Sequence, residues 1–232
     1  MPRADDLRIA VASNFANTMA ALTARFEQQS GHKVAMATGS TGKHYAQIMN
    51  GAPFDMFFAA DVERPERMEN EGLIVPGSRF TYAIGRLVLW NPLDVEDHAT
   101  MDADILTTGD YQYLAIANPR LAPYGKAAQQ VLKQKELWPR LQSRIVRGEN
   151  IGQTFQFVKS GNAQLGFVAL SQVNALEAHQ QGSYWLIEQS LYDKIEQQAV
   201  LLKSTPATQA FMRYVQSQEA RTIIRQNGYD VP

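Results

Sequence analysis

The chain has 232 residues, 45% hydrophobic and 19% charged, with a formal net charge of −1. That length can bury one large core or two of roughly 100 residues each, and the near-neutral charge leaves no basic footprint for nucleic acid or an anionic membrane. Cysteine is absent, which excludes thiol catalysis, cysteine metal sites and disulfides.

No apolar run approaches the roughly 18 residues of a membrane span. The opening Met-Pro-Arg-Ala-Asp-Asp has no apolar core of a signal peptide. The expectation is either a cytosolic protein or a mature form with an added Met.

Along the chain, strand and helix patterns alternate. Leu7–Ala12 reads as a buried strand, and Met19, Leu22 and Phe26 mark one face of a helix ending near Gly31. Val34–Ala37 is the next strand, then a helix through Ile48 and Met49, then a strand over Met56–Ala60. Asp61 is expected to cap a helix running to about Gly72. This βαβαβα rhythm predicts a parallel sheet with helices on both faces. After Pro76-Gly77-Ser78, Phe80–Trp90 reads as one long extended stretch, followed by an Asp- and Thr-rich loop over 91–110.

A second alternating set starts with a strand at Tyr113–Ala117. It continues with a helix from Tyr124 to about Lys133, a strand near Ile145, a helix from Gly152, a strand at Leu165–Val168 and a helix through Leu176. Lys194–Lys203 is a second long extended candidate, and Pro206–Asn227 reads as helical, with Phe211, Tyr214 and Val215 on one face. These elements predict two α/β lobes joined by extended crossings near 80–86 and 193–200, with the C-terminal helices returning to the first lobe.

Thr38-Gly-Ser-Thr-Gly42 stands between a strand and a helix, a setting suited to an anion. Glycines let the backbone approach, hydroxyls donate, and the first helical N–H groups lack internal partners. The continuation Lys43-His44 makes a near P-loop. Ala37 replaces its first Gly and His44 replaces the Ser or Thr that would hold Mg²⁺, which argues against nucleotide hydrolysis. Similar turns occur at Ala12-Ser13-Asn14 and at Glu149-Asn150-Ile151-Gly152. Ser13 and Asn14 serve either as simple helix caps or as ligand contacts at a strand's carboxyl end. Ala122-Pro123-Tyr124-Gly125 opens another helix, and Tyr124 is either half-buried packing or a donor through its hydroxyl or N–H.

Asp55 reads as a turn residue. His32, His44, His98 and His179 show no metal-binding spacing, and there is no G-x-S-x-G elbow. An enzyme working at the 39–42 loop would need a base or metal ligand nearby, and none is found. A transcription regulator would need a helix-turn-helix segment, for which there is no room before Leu7. The expectation is a binder of a small anion, not an enzyme.

In order and spacing, the chain resembles the periplasmic molybdate-binding proteins of ABC transporters, the ModA family, from about Leu7 to Tyr229. The stretches that carry the resemblance are Val11–Phe15, Gly39–Gly42, Ala46–Asp61, Pro76–Gly85, Ala117–Gly125 and Leu165–Ala169. The resemblance implies a two-lobed α/β fold of the type II periplasmic-binding-protein class, each lobe a mixed, mainly parallel sheet flanked by helices, with a two-strand hinge. Lobe 1 would comprise 1–82 plus 196–232, and lobe 2 would comprise 83–195.

The resemblance also implies capture of molybdate (and tungstate) in the cleft, with delivery to the membrane permease of an ABC transporter. Another tetrahedral oxyanion such as sulfate or phosphate is the alternative. The implied contacts are Ser13, Asn14, Ser40, Thr41, Tyr124 and Ile151, with no residue ligating the metal directly and no cofactor. Ala169 stands where one branch of the family has a Tyr. A periplasmic monomer without nucleic-acid partners is expected.

Overall fold

A computed structural model of the chain describes residues 6–93 and 101–232. His98, and residues 94–100 of the expected loop, lie outside the described residues. By internal contacts the chain divides into two compact units, Met1–Ile84 with Glu196–Pro232, and Gly85–Ile195.

The first part of the chain forms β1 (Asp6–Ala12), α1 (Ala16–Ser30), β2 (Lys33–Gly39), α2 (Thr41–Met49), β3 (Met56–Ala59), α3 (Glu63–Asn70) and β4 (Phe80–Gly85). A single 3₁₀ turn, Ser13–Phe15, separates β1 from α1. The middle forms β5 (Leu87–Asn91), α4 (Ile105–Thr108), β6 (Leu114–Ala117), α5 (Pro123–Gln134), α6 (Trp138–Leu141), β7 (Ile145–Gly148), α7 (Ile151–Lys159), β8 (Leu165–Ala169), α8 (Leu170–Asn174) and β9 (Ser183–Leu186). β10 (Ile195–Leu201), α9 (Pro206–Val215) and α10 (Gln218–Gln226) complete the first unit.

The described residues form two five-stranded sheets, ordered β2, β1, β3, β10, β4 and β7, β6, β8, β5, β9. Both follow one plan. A central strand (β1 or β6) pairs in parallel with the next strand on one side and the third on the other, and the third pairs antiparallel with a fourth (β10 or β5). Chain order reverses on the central strand, and open α/β sheets bind ligands beyond the carboxyl ends of strands at such a reversal.

The period-2 alternation of β1 explains its seat. Leu7, Ile9 and Val11 join Met19, Leu22 and Phe26 of α1 with Phe211 and Ile224 of α9 and α10, while Ala10 faces Phe57, Met68 and Val200. α1 ends where Gly31 adopts φ 75°, a left-handed conformation that glycine enters without a side-chain clash. In the second unit Trp90 stacks on Phe155 at 4.9 Å between ring centroids, within a core of Val88, Val158, Val168 and Val173.

Four expectations need correction. Phe80–Trp90 is not one strand. β4 ends at Gly85 and β5 begins at Leu87 in the other sheet, because both halves are apolar and extended while their partners differ. The C-terminal helix is two, broken where Ser217 caps α10 by accepting the Ala220 N–H at 3.2 Å. The expected 91–110 loop contains α4. Asp61 lies one residue before the cap position of α3, which is Val62. Its carboxylate still accepts the Arg64 N–H at 3.3 Å and pairs with the Arg64 guanidinium. Burial pushes the Asp61 carboxyl above its usual range, and Arg64 opposes that shift.

Candidate functional site

In the first unit, β1 and β2 run in parallel with Ala12 opposite Gly39. Ser13 and Ser40 therefore follow directly on the carboxyl ends of adjacent strands. Ser40 caps α2. Its Oγ accepts the Lys43 N–H at 3.3 Å and its carbonyl accepts the His44 N–H at 3.1 Å. The Thr41 and Gly42 N–H groups lie in the first turn, where a helix has no acceptor of its own to offer.

Thr41 is 1% exposed, and its Oγ1 accepts the Ala60 N–H at 3.0 Å. Ala60 follows β3, and β1 lies between β2 and β3. The Thr41–Ala60 bond thus spans the end of β1, where Ser13 stands. Oγ1 accepts from Ala60 and keeps its own proton to donate.

Asn14 is buried, and its side chain is committed inside the unit. Nδ2 donates to Gln197 Oε1 at 2.9 Å and to Tyr229 Oη at 3.1 Å. Tyr229 Oη donates in turn to the Asn14 carbonyl at 2.8 Å, and Tyr82 Oη lies 3.0 Å from the same Gln197 oxygen. What Asn14 can offer a ligand is its backbone, held in place by this network.

The second unit repeats the arrangement. β6 and β7 run in parallel with Ala117 opposite Gly148, delivering the starts of α5 and α7. Pro123 has no N–H, so the first amide of α5 belongs to Tyr124, whose side chain is 1% exposed. The expected half-buried Tyr124 is fully buried. A Cβ on Gly125 would come 2.2 Å from the Ala117 carbonyl oxygen, so glycine is what lets α5 begin against the end of β6.

Asn150 caps α7 by accepting the Gln153 N–H at 3.0 Å, leaving Ile151 at the first helical position. Gln172 ties this turn to the end of β8. Its Oε1 accepts the Ala169 N–H at 3.1 Å and its Nε2 donates to the Ile151 carbonyl at 3.2 Å. This tie spans β6 as the Thr41–Ala60 bond spans β1. Ala169 is fully buried and offers no hydroxyl.

Sequence order thus brings Ser13, Asn14, Ser40 and Thr41 to one sheet edge, and Tyr124 and Ile151 to the corresponding edge of the other sheet. Gln197, Tyr229, Tyr82 and Gln172 escaped the sequence reading. They are amides and phenols distant in the chain, with no motif of their own. Among the described residues no group of three or more His, Cys, Asp or Glu could hold a metal ion. The donors suit oxygen atoms of an anion: backbone N–H groups at helix starts, which carry partial positive charge, and serine and threonine hydroxyls.

Comparison with known proteins fits this geometry. The model of the bacterial extracellular solute-binding protein family matches residues 7–230. The chain belongs to that family. The molybdate-binding protein ModA of Azotobacter vinelandii is 45% identical over 232 residues, 98% of this chain and 90% of the relative. The ModA of Rhodobacter capsulatus is 42% identical over 231 residues, 97% of this chain and 88% of its own length. The solved structure of the periplasmic molybdate-binding protein of Azotobacter vinelandii superimposes with a TM-score of 0.89 at 41% identity, covering 97% of this chain and 99% of that one. The fold is that of the periplasmic binding proteins.

Proposed function

We propose that this family member is the extracytoplasmic receptor of an ABC transporter, binding molybdate (and tungstate) and presenting it to the membrane permease. The observation that carries the reading is the pair of matching strand-to-helix edges, Ser13 with Ser40–Thr41 and Tyr124 with Ile151. Each offers neutral donors where a tetrahedral dianion needs only donors. The relatives named for molybdate support the choice of anion.

Ser13, Asn14, Ser40, Thr41, Tyr124 and Ile151 would bond the oxyanion's oxygens, and no side chain would ligate the metal. The two units, joined near residues 80–86 and 193–200, would act as lobes that engage one anion together. Neutral donors keep release to a transporter feasible, because no lysine or arginine counter-charge has to be separated from the ligand. Selection against sulfate would come from size, since sulfate offers the same hydrogen-bond geometry on a smaller frame. A periplasmic monomer is the working form in this reading.

Thermal unfolding with sodium molybdate, tungstate, sulfate and phosphate tests it. At a thousandfold excess over Kd the bound state gains about 4 kcal/mol, which for a chain of this size raises Tm by about 8–16 °C. Molybdate and tungstate are expected to give that shift and sulfate little of it. Equal shifts from sulfate would overturn the size argument.

A further inference from the structure

His44 is 3% exposed, and its Nε2 is a buried nitrogen without a hydrogen-bond partner. A buried polar atom left unpaired calls for a physical reason. The ring lies one turn inside α2, directly behind the Ser40–Thr41 start. It occupies the space that Gly39 leaves open: a Cβ there would come 3.0 Å from Nε2 and 3.2 Å from Cε1. Phe54 and Phe57 meet the ring edge-on, with centroids 5.8 and 6.4 Å away. Nδ1 lies 3.1 Å from Gln47 Oε1.

Two neighbours of the ring would favour a cation, although the unliganded surroundings favour the neutral form. Gln47 Oε1 and the Val11 carbonyl both favour the charged form. A neutral imidazole donates from one nitrogen, and an imidazolium donates from both. Against protonation stand burial, which is the larger influence and holds His44 below the usual histidine range, and the positive charge of Lys43 on the same turn. Lys43 is the charged group acting on the ring, and β1, β2 and the Phe54–Phe57 segment face it with carbonyl, glycine and aromatic groups. A nearby negative charge would tip this balance.

We propose that His44 is a proton-coupled residue of the anion site, taking up one proton as a dianion is held at the Ser40–Thr41 turn. The neutral donor set thereby gains a counter-charge that exists only while the ligand is bound. The inference rests on the anion reading of that turn. The proton comes from buffer, and the resulting imidazolium carries N–H on both nitrogens, Nδ1 facing Gln47 Oε1. By linkage, the anion raises the affinity of His44 for the proton and the proton raises affinity for the anion by the same factor. The sign follows: affinity strengthens as pH falls through the window between the free and loaded pKa values of His44, and is flat above both.

Titration calorimetry of sodium molybdate into the full chain, at about pH 6.5 in PIPES and in Tris, counts the protons exchanged. Net uptake of part of a proton is expected, with Kd about fivefold or more lower at pH 6 than at pH 8. Both effects are expected to vanish in His44→Gln while binding at pH 8 persists. Should that variant fail to fold, the His44 imidazole resonance of the native chain is titrated by NMR with and without molybdate, and its pKa is expected to rise with the anion. Molybdate binding without proton uptake, an unshifted His44 resonance, or uptake that survives in His44→Gln would each overturn the proposal. Absence of molybdate binding at every pH would overturn the anion reading, and the role of His44 with it.

Discussion

In the proposed site, Thr41 would serve fold and ligand with one side chain. Its Oγ1 accepts the Ala60 N–H, which narrows the positions open to its own proton. A hydroxyl oriented before the ligand arrives loses little entropy on binding. Thr41→Val keeps the shape and removes both roles. The expected loss of molybdate affinity is about 1.5–3 kcal/mol, the range of a hydrogen bond to a charged group, with a further stability cost of about 1–3 kcal/mol for the unpaired Ala60 N–H. Lys43→Ala is expected to leave affinity nearly unchanged, since Lys43 is exposed and its N–H is already held by Ser40. Calorimetry on the two variants checks this. A larger loss for Lys43→Ala would restore a P-loop-like role for the lysine and defeat the neutral-donor account. Asn14 illustrates the converse case, since its side chain is consumed by Gln197 and Tyr229 so that its backbone can be presented.

At the scale of elements, the site depends on helices that begin hard against strand ends. Gly125 is the sharpest instance. An added methyl would stand 2.2 Å from the Ala117 oxygen and 2.7 Å from its carbonyl carbon, and backbone cannot yield as a flexible side chain would. Gly125→Ala is therefore expected to push α5 off β6, weakening molybdate binding at least about tenfold and lowering stability by about 1–3 kcal/mol. Chemical denaturation and calorimetry measure the two effects separately, and an unaltered Kd would remove the α5 start from the site. These strand-to-helix junctions were legible in the sequence because their signals are local: apolar runs of strand length, Gly and Pro at the turn, Ser or Asn at the cap. What ties the junctions together was not legible. Asn14 meets Gln197 across 183 residues and Tyr229 across 215, and no spacing rule links an amide to a phenol at that separation. The break at Arg86 was hidden for a related reason. The Phe80–Trp90 run looks uniform, and only the partners of its two halves divide it between sheets.

At the scale of the whole molecule, the chain passes between its units twice, at Ile84–Gly85 and at Ile195–Glu196. Both passages are tied to the Ser13–Asn14 turn from within the first unit. Gln197, two residues past the second crossing, accepts from Asn14. Asp230, beside the Tyr229 that clamps Asn14, exchanges two backbone hydrogen bonds with Ile84 at 2.7 and 3.1 Å. Each unit carries only part of the proposed donor set, so an anion that uses both sets favours whichever arrangement presents them together. A transporter could then distinguish loaded from empty receptor by shape. Small-angle scattering on the full chain is expected to show a smaller radius of gyration at saturating molybdate than without it. The same samples are titrated by calorimetry, so that occupancy is known when the profiles are compared. Full occupancy with an unchanged profile would assign the anion to one unit alone, and Tyr124 and Ile151 would then have to be removed from the site.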